Sequence, residues 1–309
     1  MTNNVANNNV ISDKEPPLVS IIMNCYNGER YLSEAIDSIY SQTYKNWEII
    51  FWDNASIDMS GKIAKSYDDR LKYFSSKSTV ALGKARNFAI KECNGDLISF
   101  LDCDDIWLPH KLELQVKEIL LDSSCVVCYS DGYYLQGDNK TEIKFSSGKN
   151  TILYQGEVFD KLICTNFINW QTVLINKKMA EGNLFFNENL SYAEDHEILL
   201  RLSLIGNFKR LNFPLVYYRV HDNNISNDYR LILSEFHKVL HFFKEEIEDK
   251  NININMCLAR MYGSVVIKLA KDNKNIDEVI GYLMKYPNTQ NVIIYFMAKI
   301  KILSFFIKR

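Results

Sequence analysis

Apolar and polar positions alternate along the first half of the chain in two different periods. From about residue 18 to residue 129, short apolar runs are separated by segments in which apolar residues recur every three or four positions. A short apolar run is typical of a strand buried on both faces, and the second spacing is typical of an amphipathic helix. The pattern predicts strands at 18–24, 47–52, 71–76, 96–102 and 125–131. It predicts helices at 29–42, 57–67, 82–93 and 109–121. Such alternation predicts an α/β fold with a Rossmann-like, mostly parallel central sheet flanked by helices.

The alternation ends after about residue 132. The second half predicts a hairpin or loop at 132–150, a helix at 155–164, a strand at 172–177, a helix at 194–205 and short strands at 208–220. From residue 229 onward the spacing is helical throughout. We therefore predict three parts: a polar, Asn-rich and disordered lead-in at 1–16, an α/β domain at 17–228, and a C-terminal helical appendage at 229–309.

The last segment, 291–309, is apolar but carries basic residues. Lys299 and Lys301 lie in its middle, and Lys308 and Arg309 end the chain. Two lysines inside the segment argue against a helix that spans a bilayer. Two alternatives stay open: a basic apolar helix on an anionic membrane surface, or a helix that packs on the α/β domain.

Composition and charge narrow the class of protein. The chain has 309 residues, of which 47% are hydrophobic and 24% charged, as in a globular protein with a substantial core. Its net charge of −2 argues against a nucleic-acid-binding protein. Seven scattered cysteines do not form the dense, even set of a disulfide framework, and the N-terminus resembles neither a signal peptide nor a membrane helix. We therefore expect reduced thiols and a cytoplasmic protein.

The strongest candidate chemistry lies where predicted strands end. Asp102 ends the fourth predicted strand and is followed by Cys103 and Asp104, and Asp53 ends the second. In open α/β sheets, ligands bind beyond these carboxyl ends. In extended geometry Asp102 and Asp104 share a side, and paired carboxylates suit Mg²⁺ or Mn²⁺ that also contacts substrate phosphates. The alternative is an Asp-rich turn that caps the next helix.

Four further residues or pairs have a functional and a structural interpretation. Asp53 could accept a hydrogen bond from a nucleobase or form an Asx-turn. Arg86, at the start of a predicted helix, could bind an anion or lie in a solvated basic turn. Glu194 and Asp195 could supply a general base or merely match a helix dipole. His221 could add a nitrogen ligand to a metal or be structural.

The order of these motifs resembles a known family. LVSIIMNCYNGERYL, IIFWDNAS, GKARNFAIKECNGDLISFLDCDDIWLPHKL, AEDHEILLRL and FPLVYYRVHDNNIS are similar to the family 2 glycosyltransferases of GT-A fold, over about residues 17–227. The resemblance implies an inverting enzyme that uses a nucleotide sugar, a UDP-sugar, with Mn²⁺ or Mg²⁺. It departs at Asn24-Cys25, where many relatives have Pro-Thr, and at Asn54, where an acid is usual.

The resemblance also implies roles at individual positions. It assigns nucleoside contacts to Tyr26, Asn27, Glu29 and Asp53, and the diphosphate to Arg86. It assigns the metal to Asp102, Asp104 and His221, with Asp102 nearer the ribose. It assigns the base to Asp195 with Glu194 beside it, and acceptor or donor-sugar contacts to Trp170 and Gln171.

From these residues we expect a transferase that acts on a hydroxyl of a glycan or lipid-linked glycan. The basic tail suggests the cytoplasmic face of the inner membrane and bacterial surface-polysaccharide assembly. Two alternatives remain: a catalytically silent nucleotide-sugar or glycan-binding module, and a metal-dependent phosphatase. In the phosphatases with an Asp-x-Asp pair, however, that pair follows the first strand, whereas here it follows the fourth.

Overall fold

A computed structural model describes residues 15–136, 139–147, 154–221 and 229–271. Its strands are β1 (Val19–Cys25), β2 (Trp47–Asp53), β3 (Leu71–Ser75), β4 (Leu97–Phe100), β5 (Ile106–Trp107), β6 (Cys125–Gln136), β7 (Asn139–Lys144), β8 (Leu174–Asn176) and β9 (Asn207–Val220). Its α-helices are α1 (Leu32–Tyr40), α2 (Ser60–Ala64), α3 (Leu82–Lys91), α4 (Lys111–Leu121), α5 (Phe159–Leu162), α6 (Glu194–Ser203), α7 (Tyr229–Phe242), α8 (Lys244–Asp249) and α9 (Ile254–Lys271). Two short 3₁₀ turns lie at Phe145–Ser147 and Trp170–Thr172.

The described strands form one mixed sheet in the order β3-β2-β1-β4-β8-β6-β9-β5, with β7 paired to β6. The first four strands in this order are parallel to one another, and β6 is parallel to β9. Strand β8 is antiparallel to both β4 and β6, and β5 is antiparallel to β9. The predicted α/β class with a mostly parallel central sheet is confirmed.

The parallel strands are apolar on both faces because each face carries its own core. On β1 and β2, Ile22 and Ile50 belong to one cluster of buried residues, whereas Ile21 and Ile49 belong to the other. Successive side chains on a strand point to opposite faces, so both cores draw on the same strands. Helices α1 and α4 contribute to the second cluster, and α6 and α7 to the first. The carboxyl ends of β1 and β4 are thereby held between two packed layers.

The predicted elements differ from the structure mainly at their ends. Strand β4 stops at Phe100, so Asp102 and Asp104 lie in a turn closed by a 3.3 Å hydrogen bond from the Asp105 N–H to the Asp102 carbonyl. The predicted extended geometry of that pair is therefore wrong. The hairpin alternative for 132–150 is confirmed by β6 and β7, and the short strands expected at 208–220 are one strand with irregular register.

Two cysteines overturn the expectation of reduced thiols. Cys164 and Cys257 form a disulfide between the segment after α5 and helix α9, 93 residues apart in sequence. Cysteine spacing could not reveal this pair, because it depends on α9 packing against the α/β domain. Cys125 and Cys128 are free and buried in β6, as predicted.

No helix within the described part of the chain is long and apolar enough to cross a bilayer. The predicted basic tail at 291–309 lies outside the described residues, as does nearly all of the predicted lead-in at 1–16.

Candidate active site

A cavity of about 1370 Å³ opens beyond the carboxyl ends of β1 and β4. Its wall brings together most of the predicted site residues, namely Tyr26, Asn27, Arg86, Asp102, Asp104, Trp170, Gln171, Glu194, Asp195 and His221. These residues come from the loop after β1, helix α3, the turn after β4, the 3₁₀ turn before β8, the start of α6 and the end of β9. The predicted residues Glu29 and Asp53 lie outside this wall.

Arg86 is a buried cation held by carboxylates from two distant parts of the chain. Its Nη1 donates to Glu194 Oε1 at 3.1 Å, and its Nη2 donates to Asp102 Oδ1 at 3.5 Å. Its guanidinium carbon also lies 5.2 Å from the centre of the Phe186 ring. A planar guanidinium can bridge two acids in this way because its N–H groups form a rigid fork. Arg86 therefore fixes the start of α6 relative to the turn after β4.

Asp102 is bonded through both its backbone and its side chain to Gln171. The Asp102 N–H donates to Gln171 Oε1 at 2.8 Å, and Gln171 Nε2 donates to Asp102 Oδ2. Withdrawal from water on the cavity wall raises the pKa of Asp102, Arg86 lowers it, and the neighbouring Asp104 raises it further. Gln171, which the resemblance assigns to sugar contacts, thus orients Asp102.

Asp104 and His221 form the part of the site that best fits a divalent cation. Asp104 Oδ2 lies 2.7 Å from His221 Nε2, and both side chains are about one-quarter exposed, at 29% and 28%. A carboxylate oxygen and an imidazole nitrogen are suitable ligands for Mn²⁺, and Mg²⁺ or Mn²⁺ commonly completes its shell with substrate phosphates. Within the described ranges, no cluster of three or more metal-ligating side chains occurs. The pair therefore fits a cation that arrives with a phosphate-bearing ligand.

Arg219 supports this pair and was not singled out from the sequence. Its Nε donates to the Asp104 carbonyl at 2.8 Å, its N–H donates to Asp105 Oδ1 at 2.8 Å, and its Nη2 lies 2.5 Å from Glu34 Oε2. The only sequence signal was a charged residue within the predicted strand YYRV. The contact itself depends on β9 running beside the turn after β4.

Asp195 lies on the cavity wall in the first turn of α6. Its Oδ1 accepts a 2.6 Å hydrogen bond from the His196 N–H. Loss of water contact and the neighbouring carboxylate of Glu194 together raise the pKa of Asp195 to about 7, against the lowering effect of Arg86. A carboxyl group that titrates near neutrality can accept a proton and later release it.

The loop after β1 is tied to the segment after β2. The Asn27 N–H donates to Ser56 Oγ at 3.0 Å, and Asn27 itself is left-handed with a φ of 52°. Glu29 Oε2 accepts from the Met59 N–H at 2.8 Å. These two predicted nucleoside contacts therefore also hold the loops together, while Tyr26 is exposed on the cavity wall.

Asp53 is buried, and both of its carboxylate oxygens already accept hydrogen bonds. Oδ1 accepts from the Ser56 N–H at 2.7 Å, and Oδ2 accepts from the Tyr73 hydroxyl at 2.6 Å. The bond from Ser56 spans three residues and not the two of an Asx-turn, so Asp53 does bind the local backbone, but in a different turn from the one expected as its structural alternative. Each carboxylate oxygen still has a second lone pair, so its predicted contact with a nucleobase stays a prediction.

Comparison with known proteins agrees with this architecture. The sequence profile described as Glycosyl transferase family 2 matches residues 20–184. An uncharacterized glycosyltransferase of Rickettsia typhi is 33% identical over 274 residues, which is 87% of this chain and 83% of the relative. A UDP-Glc:alpha-D-GlcNAc-diphosphoundecaprenol beta-1,3-glucosyltransferase of Escherichia coli is 31% identical over 214 residues, 68% of this chain and 80% of the relative.

Solved structures of similar shape support the fold. S. aureus TarS (residues 1–349) in complex with UDP-GlcNAc superposes with a TM-score of 0.61 and 20% identity, covering 90% of this chain and 78% of that one. A mannosyltransferase from Pyrobaculum calidifontis in complex with GDP-Man and Mn²⁺ superposes with a TM-score of 0.57 and 14% identity, covering 91% and 86%. The predicted GT-A fold is confirmed by these matches.

We predict that Arg86→Met destabilises the protein by about 3–5 kcal/mol, because it leaves the buried Glu194 carboxylate without its cation. Urea unfolding measures the loss. The double variant Arg86→Met/Glu194→Met removes the charge as well as its partner, and should be clearly more stable than the single variant. A single variant as stable as the wild type would show that the ion pair does not hold α6 in place.

Proposed function

The chain belongs to glycosyltransferase family 2, and we propose that it is an inverting enzyme that moves a sugar from a UDP donor to a hydroxyl of a glycan or lipid-linked glycan. The observation that carries this proposal is the single cavity wall shared by Asp195, Arg86 and the Asp102–Asp104 turn. One wall offers a base for the acceptor together with groups suited to the departing diphosphate. In inverting glycosyl transfer the base and the diphosphate groups must lie on opposite sides of the anomeric carbon.

The nucleotide end of the proposal rests on the loops after β1 and β2. TarS structures hold UDP or UDP-GlcNAc, and the Pyrobaculum enzyme holds GDP-Man, which supports a nucleoside diphosphate sugar as donor. The E. coli relative is named for UDP-Glc, which favours uridine. In this proposal Tyr26, Asn27 and Glu29 line the nucleoside, and Asp53 uses a remaining lone pair to accept from the base.

At the part of the cavity proposed to bind the donor diphosphate lie Arg86, Asp102, Asp104 and His221. We assign a Mn²⁺ or Mg²⁺ ion to Asp104 and His221, with Asp102 beside it and towards the ribose. When bound, such an ion neutralises the charge that develops on the leaving diphosphate. Arg86 contributes a fixed positive charge on the same wall.

On the acceptor side of the anomeric carbon, Asp195 is the proposed general base. Its ionised carboxylate accepts the proton of the acceptor hydroxyl as that oxygen bonds to the anomeric carbon. The bond from this carbon to the diphosphate oxygen breaks on the opposite face, and the configuration inverts. Glu194 holds Arg86 beside Asp195 and raises the pKa of Asp195.

The space between the two ends suits a hydroxyl-rich ligand. Trp170 and Glu194 are buried on the cavity wall, and the Trp170 indole N–H and Glu194 Oε2 lack a hydrogen-bond partner among the described residues. Buried polar groups of a native protein are normally bonded, and a sugar hydroxyl can both accept from the indole and donate to the carboxylate. Their placement supports sugar binding at this point.

The acceptor is proposed to be lipid-linked. The E. coli relative is named for an acceptor joined to diphosphoundecaprenol, and Ile232 and Phe236 add apolar surface to the cavity wall. The basic tail at 291–309 would bring the enzyme to an anionic membrane.

We predict that Asp195→Asn lowers kcat by about 10²–10⁴-fold, because it removes the proton acceptor but keeps the shape of the side chain. UDP release from a panel of UDP-sugars, with and without EDTA, measures the effect. Affinity for UDP should remain, and the exposed Asp249→Asn should behave as wild type. Full turnover by Asp195→Asn would reject the assignment of Asp195 as the general base. Release of inorganic phosphate would indicate a phosphatase, and release of nothing by the wild type would indicate a binding module.

We predict that activity at limiting substrate rises with pH around an apparent pKa of about 7, since only the ionised form of Asp195 accepts a proton. Glu194→Gln removes a neighbouring negative charge and should move this rise to lower pH. Initial rates between pH 5 and 9 measure both effects. A rise that stays at the same pH in Glu194→Gln would contradict the coupling of the two acids.

We predict that Asp104→Ala abolishes the gain in UDP affinity that Mn²⁺ gives the wild type, a loss of at least about tenfold, because His221 alone cannot hold the ion. Calorimetric titration of UDP with and without Mn²⁺ measures it. Asp69→Asn, an exposed carboxylate away from the cavity, is the control. An equal response to Mn²⁺ in Asp104→Ala and wild type would exclude Asp104 as a ligand.

A further inference from the structure

Helix α7 carries a carboxylate that is buried in an unusual way. Glu235 is 1% exposed, and buried glutamates are rare unless they are paired. Its ion-pair partner among the described residues, Lys238 Nζ, lies 4.0 Å away on a side chain that is 50% exposed. The carboxylate instead accepts three backbone hydrogen bonds: Oε1 from the Ser191 N–H at 2.7 Å, and Oε2 from the Tyr192 N–H at 2.7 Å and the Ala193 N–H at 2.9 Å.

These three donors are consecutive and lead directly into the active site. Ser191, Tyr192 and Ala193 all line the cavity and immediately precede Glu194 and Asp195. The Ala193 carbonyl also accepts an early hydrogen bond of α6, from the Glu197 N–H at 2.9 Å. A shift of this segment would therefore move the first turn of α6, and the Asp195 carboxylate with it.

Helix α7 packs against α6, so the position of Glu235 relative to α6 is fixed. The Phe236 ring stacks on the His196 ring with centroids 6.3 Å apart and planes 6° apart. His196 Nε2 is in turn 2.7 Å from the Leu162 carbonyl. Leu233 and Val239, on the same helix, are completely buried. Helix α7 thus packs on α6, the helix whose first turn is held through the Glu235 carboxylate.

Helix α9 is attached to the same region. His237 Nε2 lies 2.6 Å from the Tyr262 hydroxyl, and the Cys164–Cys257 disulfide joins α9 to the segment after α5. Cys164 is also on the cavity wall. The helices at 229–271 therefore pack on the α/β domain beside the site.

We propose that Glu235 is a positioning residue for glycosyl transfer, which holds segment 191–193 and thereby sets Asp195 in the cavity. This inference rests on the proposed role of Asp195 as the base. The helices at 229–271 then belong to the catalytic unit, although the sequence predicted an appendage.

A carboxylate suits this role better than its amide. Its two oxygens offer about four acceptor sites, enough for three N–H donors. Glutamine has nearly the same size, but its NH₂ group must face at least one of those donors. Glu235→Gln therefore removes at least one of the three hydrogen bonds while the packing of α7 is kept.

The test measures the segment and the reaction separately. In Glu235→Gln, hydrogen exchange of the backbone amides of 191–193, followed by mass spectrometry, should accelerate by about tenfold or more, because these amides lose their acceptor. Turnover (kcat) should fall by about tenfold or more, while the KM for the donor and the Kd for UDP change less than about twofold. Unchanged exchange together with unchanged kcat would overturn the proposal.

Three further variants separate positioning from stability and from the role of the base. Glu248→Gln makes the same change on an exposed side chain of α8 and should alter neither measurement. Val239→Ala weakens the packing of α7 but keeps the Glu235 carboxylate, so it should lower the melting temperature but keep kcat. An equal loss of kcat in Val239→Ala would overturn the proposal. Glu235→Asp keeps the charge with a shorter reach; it should give an intermediate loss, and serves if Glu235→Gln does not fold.

Asp195→Asn distinguishes failure of this inference from failure of the proposed function. It should lose turnover with normal exchange at 191–193. If it retains full turnover, the base assignment fails, and the proposed role of Glu235 in catalysis fails with it. If it loses turnover while Glu235→Gln keeps both its exchange rates and its kcat, only the inference about Glu235 fails.

Discussion

The active site depends on a buried guanidinium that is shared between two acids. Arg86 contacts Glu194 and Asp102, which are far apart in sequence and lie on α6 and after β4. A charge can stay buried only where opposite charges and hydrogen bonds replace the water it has lost. The packing of α3 against the sheet, which buries Arg86, therefore requires both acids to converge on it. Convergence at this point brings the neighbouring Asp195 and Asp104 to the same cavity.

Sheet topology supplies the second constraint. Strand β8 lies antiparallel to β4, with Leu97 opposite Asn176 and Ser99 opposite Leu174. When this register is continued past the strand ends, Asp102 falls opposite Gln171, and these two residues are indeed hydrogen-bonded through backbone and side chain. The orientation of Asp102 thus follows from the insertion of the antiparallel strand β8 between β4 and β6. Behind the same turn, Arg219 on β9 holds the backbone of Asp104.

The parts predicted well from sequence are those that follow from local pattern. Strands β1, β2 and β4 are buried on both faces, so their apolar runs are continuous, and the acids at their ends can only lie at one edge of a parallel sheet. The parts that were missed depend on contacts over long separations. The partnership of Gln171 with Asp102 needs the strand order, and the Cys164–Cys257 disulfide and the hydrogen bonds of Glu235 need the docking of helices outside the recognised motifs. The Asp53 carboxylate at the end of β2 accepts hydrogen bonds from the Ser56 N–H and the Tyr73 hydroxyl. Its predicted contact with a nucleobase stays a prediction.

The charges of the site also bear on how a donor would bind. Burial raises the pKa values of Asp102 and Asp195, and neighbouring carboxylates raise them further, while Arg86 lowers both. The cavity wall carries four acids, Asp102, Asp104, Glu194 and Asp195, against the three guanidinium groups of Arg30, Arg86 and Arg260, and a nucleoside diphosphate would add further negative charge to it. The excess of acids is therefore a physical reason for the proposed donor to enter together with a divalent cation, at the exposed pair of Asp104 and His221. The same cation, by adding positive charge near the acids, would favour the ionised form of Asp195 that the proposed base requires.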